Sequence, residues 1–192
     1  MTYRRTDTLP PVAILALLVA LVPLGIACDS TQAPTADGHT VTPEYDAKTA
    51  TLKSLALDSK RDGRIDTWAY MDGTRLIRIE ADENGDGRVD RWEYYPSEAT
   101  VAKTGLRPFQ APERVERATR YDGKVSRWEY FEQGALVRVE EDTDGDGKID
   151  KWETYKDGSL AEMALDTDHL GKPSRRLIYK SDGSLDHVET LH

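Results

Sequence analysis

The sequence predicts an all-β protein, an antiparallel meander of repeated β-hairpins of about 24 residues that forms a single-layer or curled sheet. Beyond residue 50 the chain repeats itself, with all four tryptophans at the same place in the repeat. Runs of about seven residues rich in β-branched and aromatic side chains alternate with Asp-Gly turns, as β-hairpins require. Charged side chains fall on both faces of several predicted strands, which disfavours a thick two-layer core.

The N-terminus is expected to be an export signal with a short apolar helix. It has a cationic start at Arg4 and Arg5, and an apolar run over residues 12–27 leads to Cys28, the only cysteine. A membrane-spanning helix needs about 20 apolar residues, so a cleaved signal is favoured over a retained anchor. The segment LGIAC resembles the bacterial lipobox, with its leucine one position further from the cysteine than is usual. This resemblance implies that Cys28 carries a lipid, and an ordinary signal peptide is the alternative.

A lipid on Cys28 implies a protein anchored to the cell membrane or outer membrane, on the periplasmic or extracellular side. Residues 29–50 lack apolar periodicity and are rich in Thr, Ala, Pro and Asp, which is typical of a flexible tether. The formal net charge of −9 argues against a nucleic-acid partner. The predicted divisions are a lipoprotein signal peptide over 1–27, a lipidated tether over 28–50 and a β-hairpin repeat domain over 51–192.

The repeat is defined by the tryptophans, whose spacings are 24, 36 and 24 residues: Trp68, Trp92, Trp128 and Trp152. The first and third, like the second and fourth, are 60 residues apart, which suggests a duplicated pair of units. A fifth, decayed copy begins at Asp166.

Each unit contributes two strands, and every neighbouring pair is joined by a hairpin except across residues 96–112. The eleven predicted strands are 52–58, 64–71, 74–82, 88–95, 113–121, 124–132, 135–142, 148–156, 159–166, 174–181 and 184–190. We expect Arg–Glu and Trp–Tyr ladders across the strands, with a partly closed sheet as the alternative. The segments TYKDGSL and YKSDGSL resemble bacterial hairpin-repeat families with a Y-x-D-G-x-L element.

Two segments between predicted strands, 82–93 and 142–153, carry oxygen-bearing side chains at regular intervals. Both resemble the twelve-residue EF-hand calcium loop, in which acidic or amide side chains and one backbone carbonyl converge on the ion and a glycine permits the sharp turn. The resemblance implies about two calcium ions, held by Asp82, Asn84, Asp86, the carbonyl of Arg88, Asp90 and Glu93, and by Asp142, Asp144, Asp146, the carbonyl of Lys148, Asp150 and Glu153.

The corresponding loops of the other units provide an internal control. The first has Lys60 at the third position, and the third has Arg120 there and Ser126 at the ninth. Both keep the turn glycine, so we expect them to fold without metal. The alternative for the acidic loops is that Asp-Gly richness serves only to make turns.

Flanking helices do not fit around these loops, since Pro96 or Asp157-Gly158 follows too closely. The loops therefore resemble the D-x-D-x-D-G calcium hairpins of integrin-type propellers and the helix-free loops of thrombospondin type 3 repeats. In a regular strand Asp90 and Glu93 point to opposite faces, so Glu93 and Glu153 are weaker candidate ligands.

The function expected from the sequence is non-catalytic. His39, His169, His187 and His192 are surrounded by no catalytic motif. The leading hypothesis is a membrane-anchored envelope lipoprotein that binds calcium structurally. The alternative is a binding module for a polysaccharide or an envelope protein, which would use the four tryptophans as a ligand face.

Overall fold

A computed structural model describes residues 35–36, 39–104 and 111–191. It contains one antiparallel sheet whose strand order follows the chain from β1 to β13. The strands are β1 (Thr35–Ala36), β2 (His39–Tyr45), β3 (Leu52–Leu57), β4 (Thr67–Asp72), β5 (Arg75–Ala81), β6 (Arg91–Tyr94), β7 (Arg114–Arg117), β8 (Arg127–Glu132), β9 (Ala135–Glu141), β10 (Lys151–Lys156), β11 (Ser159–Leu165), β12 (Arg175–Tyr179) and β13 (Leu185–Thr190). The predicted all-β meander is confirmed, and the sheet is open, with β1 and β13 at its edges.

All eleven predicted strands are present, but four of the five that follow the long loops begin three residues later than predicted, and the fifth, β12, begins one residue later. For example, β6 begins at Arg91 instead of residue 88, and β10 begins at Lys151 instead of residue 148. The intervening residues belong to the loops, because the side chain of Asp90 or Asp150 accepts hydrogen bonds from the start of its own loop.

The sheet begins earlier in the chain than predicted, because β2 lies within the segment expected to be a tether. Val41 of β2 pairs with Leu57 and is only 3% exposed, so it belongs to the core. Pro43 is tolerated in β2 because that strand has only the two-residue β1 on its other side. The tether prediction is therefore wrong for residues 39–45. The predicted signal peptide and Cys28 lie outside the described residues.

The connection between β6 and β7 contains the helix α1 (Glu98–Thr104), which the sequence analysis did not predict. Ser97 caps it, since its hydroxyl accepts a hydrogen bond from the Thr100 amide at 3.2 Å. Within the described ranges, no helix is long and apolar enough to cross a membrane.

The hydrophobic core lies on one face of the sheet, over β2 to β5. It is built from Val41, Leu55, Leu57, Ala69, Met71, Leu76, Ile79 and Tyr95. Bulges in the hairpins keep this face apolar: in β4–β5 the register shifts between Tyr70 and Met71, so that Met71 pairs with Leu76. Farther along the same face the apolar side chains give way to charges.

Candidate metal centre

Five loops of equal length lie at one end of the sheet, because each joins two strands of the meander at the same side. They span 58–66, 82–90, 118–126, 142–150 and 166–174. In each, the amide of the last residue donates to the carbonyl of the strand residue before the loop, as Asp90 does to Ala81 at 2.8 Å and Ser126 to Arg117 at 2.9 Å. The backbone of the loop is thus common to all five.

Neighbouring loops are also joined to one another. The first amide of each later loop donates to the last carbonyl of the loop before it, as in Asp82 to Asp66 and Asp142 to Ser126, both at 2.8 Å. These bonds extend the ladder of the sheet by one residue. The loops therefore form a row in which each is held against the next.

The first aspartate of each acidic loop binds the turn backbone. The carboxylate of Asp82 accepts hydrogen bonds from Gly85 at 2.6 Å and Gly87 at 2.7 Å. Asp142 accepts the equivalent bonds from Gly145 and Gly147 at 2.6 and 3.0 Å. All four glycines have positive φ, near +85°, which explains why glycine is needed there.

The side chains at the third and fifth positions are exposed, and each accepts a hydrogen bond from the main-chain amide two residues later. The oxygen of Asn84 accepts from the Asp86 amide at 2.8 Å, and Asp86 accepts from the Arg88 amide at 2.9 Å. Asp144, Asp146 and Lys148 repeat this pattern at 3.1 and 2.8 Å. Arg88 and Lys148, predicted to offer their carbonyls, take part here through their amides.

Three carboxylates of the second acidic loop approach one another closely enough to share an ion. Asp142, Asp144 and Asp146 each place one ligand oxygen within 4.8 Å of the others. The first acidic loop has the same pattern of loop hydrogen bonds, with the amide oxygen of Asn84 in place of a carboxylate. Hard oxygen atoms at this spacing are the ligands that Ca²⁺ takes.

Asp90, the last residue of the loop 82–90, has a buried carboxylate oxygen that no other group among the described residues contacts through a hydrogen bond. One carboxylate oxygen accepts from the amides of Glu83 and Asn84, while the other is buried and has no hydrogen-bond partner in the described structure. The residue is only 2% exposed. Burial raises its pKa above the usual value, and the negative charges of Asp86 and Asp82 raise it further. A bound cation would relieve both effects, so the residues present fit a metal ion.

The pKa values of Asp82 and Asp142 are lowered, whereas that of Asp90 is raised. Burial acts to raise the pKa of Asp82, but hydrogen bonds from Gly87 and Gly85 outweigh it and hold the pKa below its usual value. The pKa of Asp142 is lowered in the same way, with Arg120 adding to the effect. Both groups are therefore charged, as ligands of a metal ion must be.

Glu93 and Glu153 are engaged within the sheet instead of the loops. Glu93 forms an ion pair with Arg91 at 3.0 Å and accepts from the Tyr95 hydroxyl at 2.7 Å. Glu153 pairs with Lys151 at 3.0 Å, and accepts from the Tyr155 hydroxyl at 2.9 Å.

These two glutamates belong to a charged network on the same face as the hydrophobic core. Arg127 is its centre, since it contacts Glu129 at 2.8 Å, Glu141 at 2.9 Å and Glu153 at 3.8 Å. Burial opposes the positive charge of Arg127, but these three glutamates raise its pKa above the usual value. Glu93 and Glu153 are thus already neutralised by side chains of the sheet.

The other three loops show that the turn does not need oxygen-bearing side chains at all four of the proposed ligand positions. In the loop 58–66, Asp58 accepts from the amides of Asp62 and Gly63 at 3.1 and 2.8 Å. In the loop 118–126, the Ser126 hydroxyl takes the part of the ninth aspartate and accepts from the Thr119 amide at 3.1 Å. The same serine arrangement recurs in the loop 166–174 with Ser174.

The sequence analysis missed the cationic side chains that the neighbouring loops direct at the acidic loops. Lys60 donates to the carbonyl of Asp82 at 2.7 Å, and Arg120 donates to the carbonyl of Asp142 at 3.0 Å. Their positions in the repeat could have revealed them, since Lys60 and Arg120 both occupy the third position of the loop preceding an acidic one.

The four tryptophans lie on the face of the sheet opposite the core and are half-buried. They do not form the predicted Trp–Tyr ladder, because each cross-strand partner is a glutamate or an alanine: Trp68 pairs with Glu80, which pairs in turn with Trp92. Equivalent residues recur only on every second strand, so successive tryptophans are separated by about 10 Å.

The tyrosines of this face pair with arginines instead of tryptophans. The predicted Arg–Glu contacts are present beside them. The Arg78 guanidinium lies 4.5 Å from the ring centroid of Tyr70, whose hydroxyl donates to Glu80 at 2.8 Å. Arg78 also forms an ion pair with Glu80 at 2.9 Å. The same triad recurs twice, as Tyr94, Arg114 and Glu116, and as Tyr130, Arg138 and Glu140.

Comparison with known proteins assigns no family. No family model and no curated protein matches this sequence. Among solved structures, the crystal structure of accessory secretory protein 1,2 and 3 in Streptococcus pneumoniae is similar over 63% of this chain, with a TM-score of 0.30 and 16% identity. This chain spans 18% of the length of that one.

Proposed function

We propose that this protein is a non-catalytic, membrane-anchored envelope lipoprotein whose sheet is stabilised by about two calcium ions, one in the loop 82–90 and one in the loop 142–150. The observation that carries the metal proposal is the buried, unpartnered carboxylate oxygen of Asp90. It lies in a loop that also presents Asp82, Asn84 and Asp86.

The ligands proposed for the first loop are Asp82, Asn84, Asp86 and Asp90, with Asp142, Asp144, Asp146 and Asp150 in the second. Glu93 and Glu153 are left out because their carboxylates already have basic and tyrosine partners. Water would complete each coordination shell, since Ca²⁺ takes six to eight oxygen atoms.

The role proposed for the ions is linkage between binding and folding. An ion that binds only the folded loop stabilises the protein by about 2.7 kcal/mol at a free calcium concentration one hundred times Kd. Because the loops are held in a row, fixing two of them would stiffen one whole end of the sheet. Free calcium on the outer side of the membrane would then determine how rigid the protein is.

The proposed calcium effect is tested by thermal melts of the purified protein in calcium and in chelator. We expect a higher melting temperature in calcium, and no further increase when magnesium is added, because Mg²⁺ demands a smaller octahedral site and gives up water reluctantly. Equal melting temperatures in calcium and chelator would contradict the proposal.

The proposed anchor rests on the lipobox resemblance that ends at Cys28. We expect cells supplied with a labelled fatty acid to transfer label to the wild-type protein, which should partition with membranes. Cys28→Ser removes the sulfur that would carry the lipid, so neither label nor membrane partitioning should remain. Retention of both by Cys28→Ser would reject the lipid anchor and leave the calcium proposal intact.

A further inference from the structure

The two acidic loops differ in how many of their carboxylates are already occupied by other side chains. In the loop 142–150 every proposed ligand has a second partner: Arg120 at 3.4 Å from Asp142, His169 at 3.3 Å from Asp144, Lys148 at 3.7 Å from Asp146, and the Thr143 hydroxyl at 2.7 Å from Asp150. Arg120 and Lys148 are cationic, so a metal ion entering this loop meets positive charge already in place.

The loop 82–90 is less occupied. Lys60 donates only to the main-chain carbonyl of Asp82 and acts on its carboxylate through charge alone, and none of the ion pairs among the described residues includes Asp82, Asp86 or Asp90. Asp90 retains its buried oxygen without a partner. The equivalent aspartate of the other loop, Asp150, receives the hydroxyl of Thr143, where the first loop has Glu83.

Arg120 is built into the second loop. Its guanidinium donates to both the carbonyl and the carboxylate of Asp142, at 3.0 and 3.4 Å. It also packs on the main chain at Gly145, where a Cβ atom would come within 3.1 Å of the guanidinium carbon. The planar fork of arginine permits this double contact, which the single ammonium group of Lys60 does not make.

We propose that Arg120 sets the calcium affinity of the loop 142–150 by competing with the ion for Asp142, so that the loop 82–90 fills first and the loop 142–150 only at higher calcium. This inference rests on the proposed calcium function. Arg120 acts as an affinity-setting residue because its charge neutralises the first ligand aspartate and repels the incoming ion. The protein would then respond to calcium in two steps instead of one.

Calorimetric titration of the purified full-length protein with calcium chloride tests the inference. Asp86→Ala and Asp146→Ala assign each binding step to a loop. In the wild type we expect the two dissociation constants to differ by about tenfold or more, and Arg120→Gln to tighten the weaker site by about tenfold, the effect of one unit charge near a divalent ion at high effective dielectric.

Three further variants separate the effect of charge from that of structure. Arg120→Lys keeps the positive charge and should bind within about threefold of the wild type, because the ammonium group still repels the ion. Lys60→Gln, the matched change 60 residues earlier, also removes a positive charge near the first aspartate of a loop, so it should tighten the site in 82–90. We expect a smaller factor than for Arg120→Gln, because Lys60 donates only to the Asp82 carbonyl. His169→Gln removes a basic partner supplied by another loop and should tighten the weaker site by a smaller factor than Arg120→Gln.

The outcomes distinguish this inference from the proposed function. If the wild type binds no calcium, the proposed function fails and the inference with it. If the wild type binds two ions but Arg120→Gln and His169→Gln leave the site in 142–150 unchanged or weaker, the inference alone is overturned. Tightening by Arg120→Lys as large as that by Arg120→Gln would also overturn competition by charge.

Discussion

The two acidic loops and their sibling loops share one backbone but differ in charge. The loops 82–90 and 58–66 close with the same amide-to-carbonyl bond and the same carboxylate at the first position. The loop 118–126 dispenses even with that carboxylate, since it begins with Ala118 and ends with Ser126. The turn therefore does not need oxygen-bearing side chains at all four of the first, third, fifth and ninth positions, and the complete set in the acidic loops requires a different explanation. Calcium binding is the explanation we propose.

The largest expected effect comes from removing the first aspartate. Asp142→Ala deprives the Gly145 and Gly147 amides of their acceptor and removes a proposed ligand. We expect a loss of about 2 to 3 kcal/mol of unfolding free energy in chelator, typical of lost hydrogen bonds to a charged group, and a greater loss in calcium. The measurement is urea denaturation in both conditions.

Asp58→Ala is the matched control for Asp142→Ala. It removes the equivalent acceptor, which binds the amides of Asp62 and Gly63. It should therefore cost a similar free energy, but equally in calcium and in chelator. A calcium-dependent loss in Asp58→Ala would erase the distinction between the two kinds of loop.

A sharper comparison uses the fifth position, where the lost hydrogen bond is the same in four of the five loops; the loop 166–174 has Leu170 there. Asp86 and Asp146 accept from the amide two residues later, and so do Asp62 and Asp122 in the sibling loops. Asp86→Ala with Asp146→Ala should remove the calcium stabilisation, about 2.7 kcal/mol for each site at one hundred times its Kd. Thermal melts in calcium and chelator measure it.

The control double variant, Asp62→Ala with Asp122→Ala, should keep the whole calcium-dependent increase in melting temperature. Both pairs of aspartates are exposed, so the variants should differ little from one another in chelator. A loss of the calcium effect in both double variants would mean that the stabilisation does not depend on the acidic loops.

A smaller effect is expected from pH through Asp90. Its folded pKa is raised, so its ionisation destabilises the metal-free protein, and this cost disappears as the pH falls through that raised pKa. Asp90→Asn in chelator should therefore be as stable as the wild type or more stable at pH 7, and the advantage should shrink toward pH 4. Urea denaturation across this pH range measures it; a variant that is less stable than the wild type at pH 7 in chelator contradicts the account.

The smallest expected effect lies in the sheet. Tyr130→Phe removes the hydrogen bond to Glu140 but keeps the ring beneath Arg138. We expect a loss of about 0.5 to 1 kcal/mol, the same with and without calcium, in urea denaturation. A calcium-dependent loss here would show that the ions act on the whole sheet and not through the loops alone.

The strands were predictable because the same pattern of apolar runs and Asp-Gly turns recurs in each unit of the repeat. Trp68, Trp92, Trp128 and Trp152 fix the phase of the repeat, and Asp-Gly turns mark the hairpins. The start of the sheet was missed because β2 has the composition of a linker, and its burial depends on Val41 meeting Leu57 of the next strand. The helix α1 was missed because seven residues give too short a periodic pattern.

The candidate ligands within each loop could be predicted from the sequence, but the contacts between loops could not. The spacing of Asp82, Asn84, Asp86 and Asp90 follows from the loop itself, as does the approach of Asp142, Asp144 and Asp146 to one another. The contacts of Lys60 and Arg120 join residues of neighbouring loops that are 22 positions apart in the chain, so the strand register determines them. The pairing of tryptophan with glutamate likewise depends on register, which a list of residues on one face does not specify.

Calorimetric titration with calcium, on the wild type and both fifth-position double variants, tests the central claim most directly. We predict about two ions for the wild type and for Asp62→Ala with Asp122→Ala, and no binding to Asp86→Ala with Asp146→Ala. Binding that survives in the latter pair, or no binding by the wild type at millimolar calcium, would contradict the claim that the acidic loops are calcium sites.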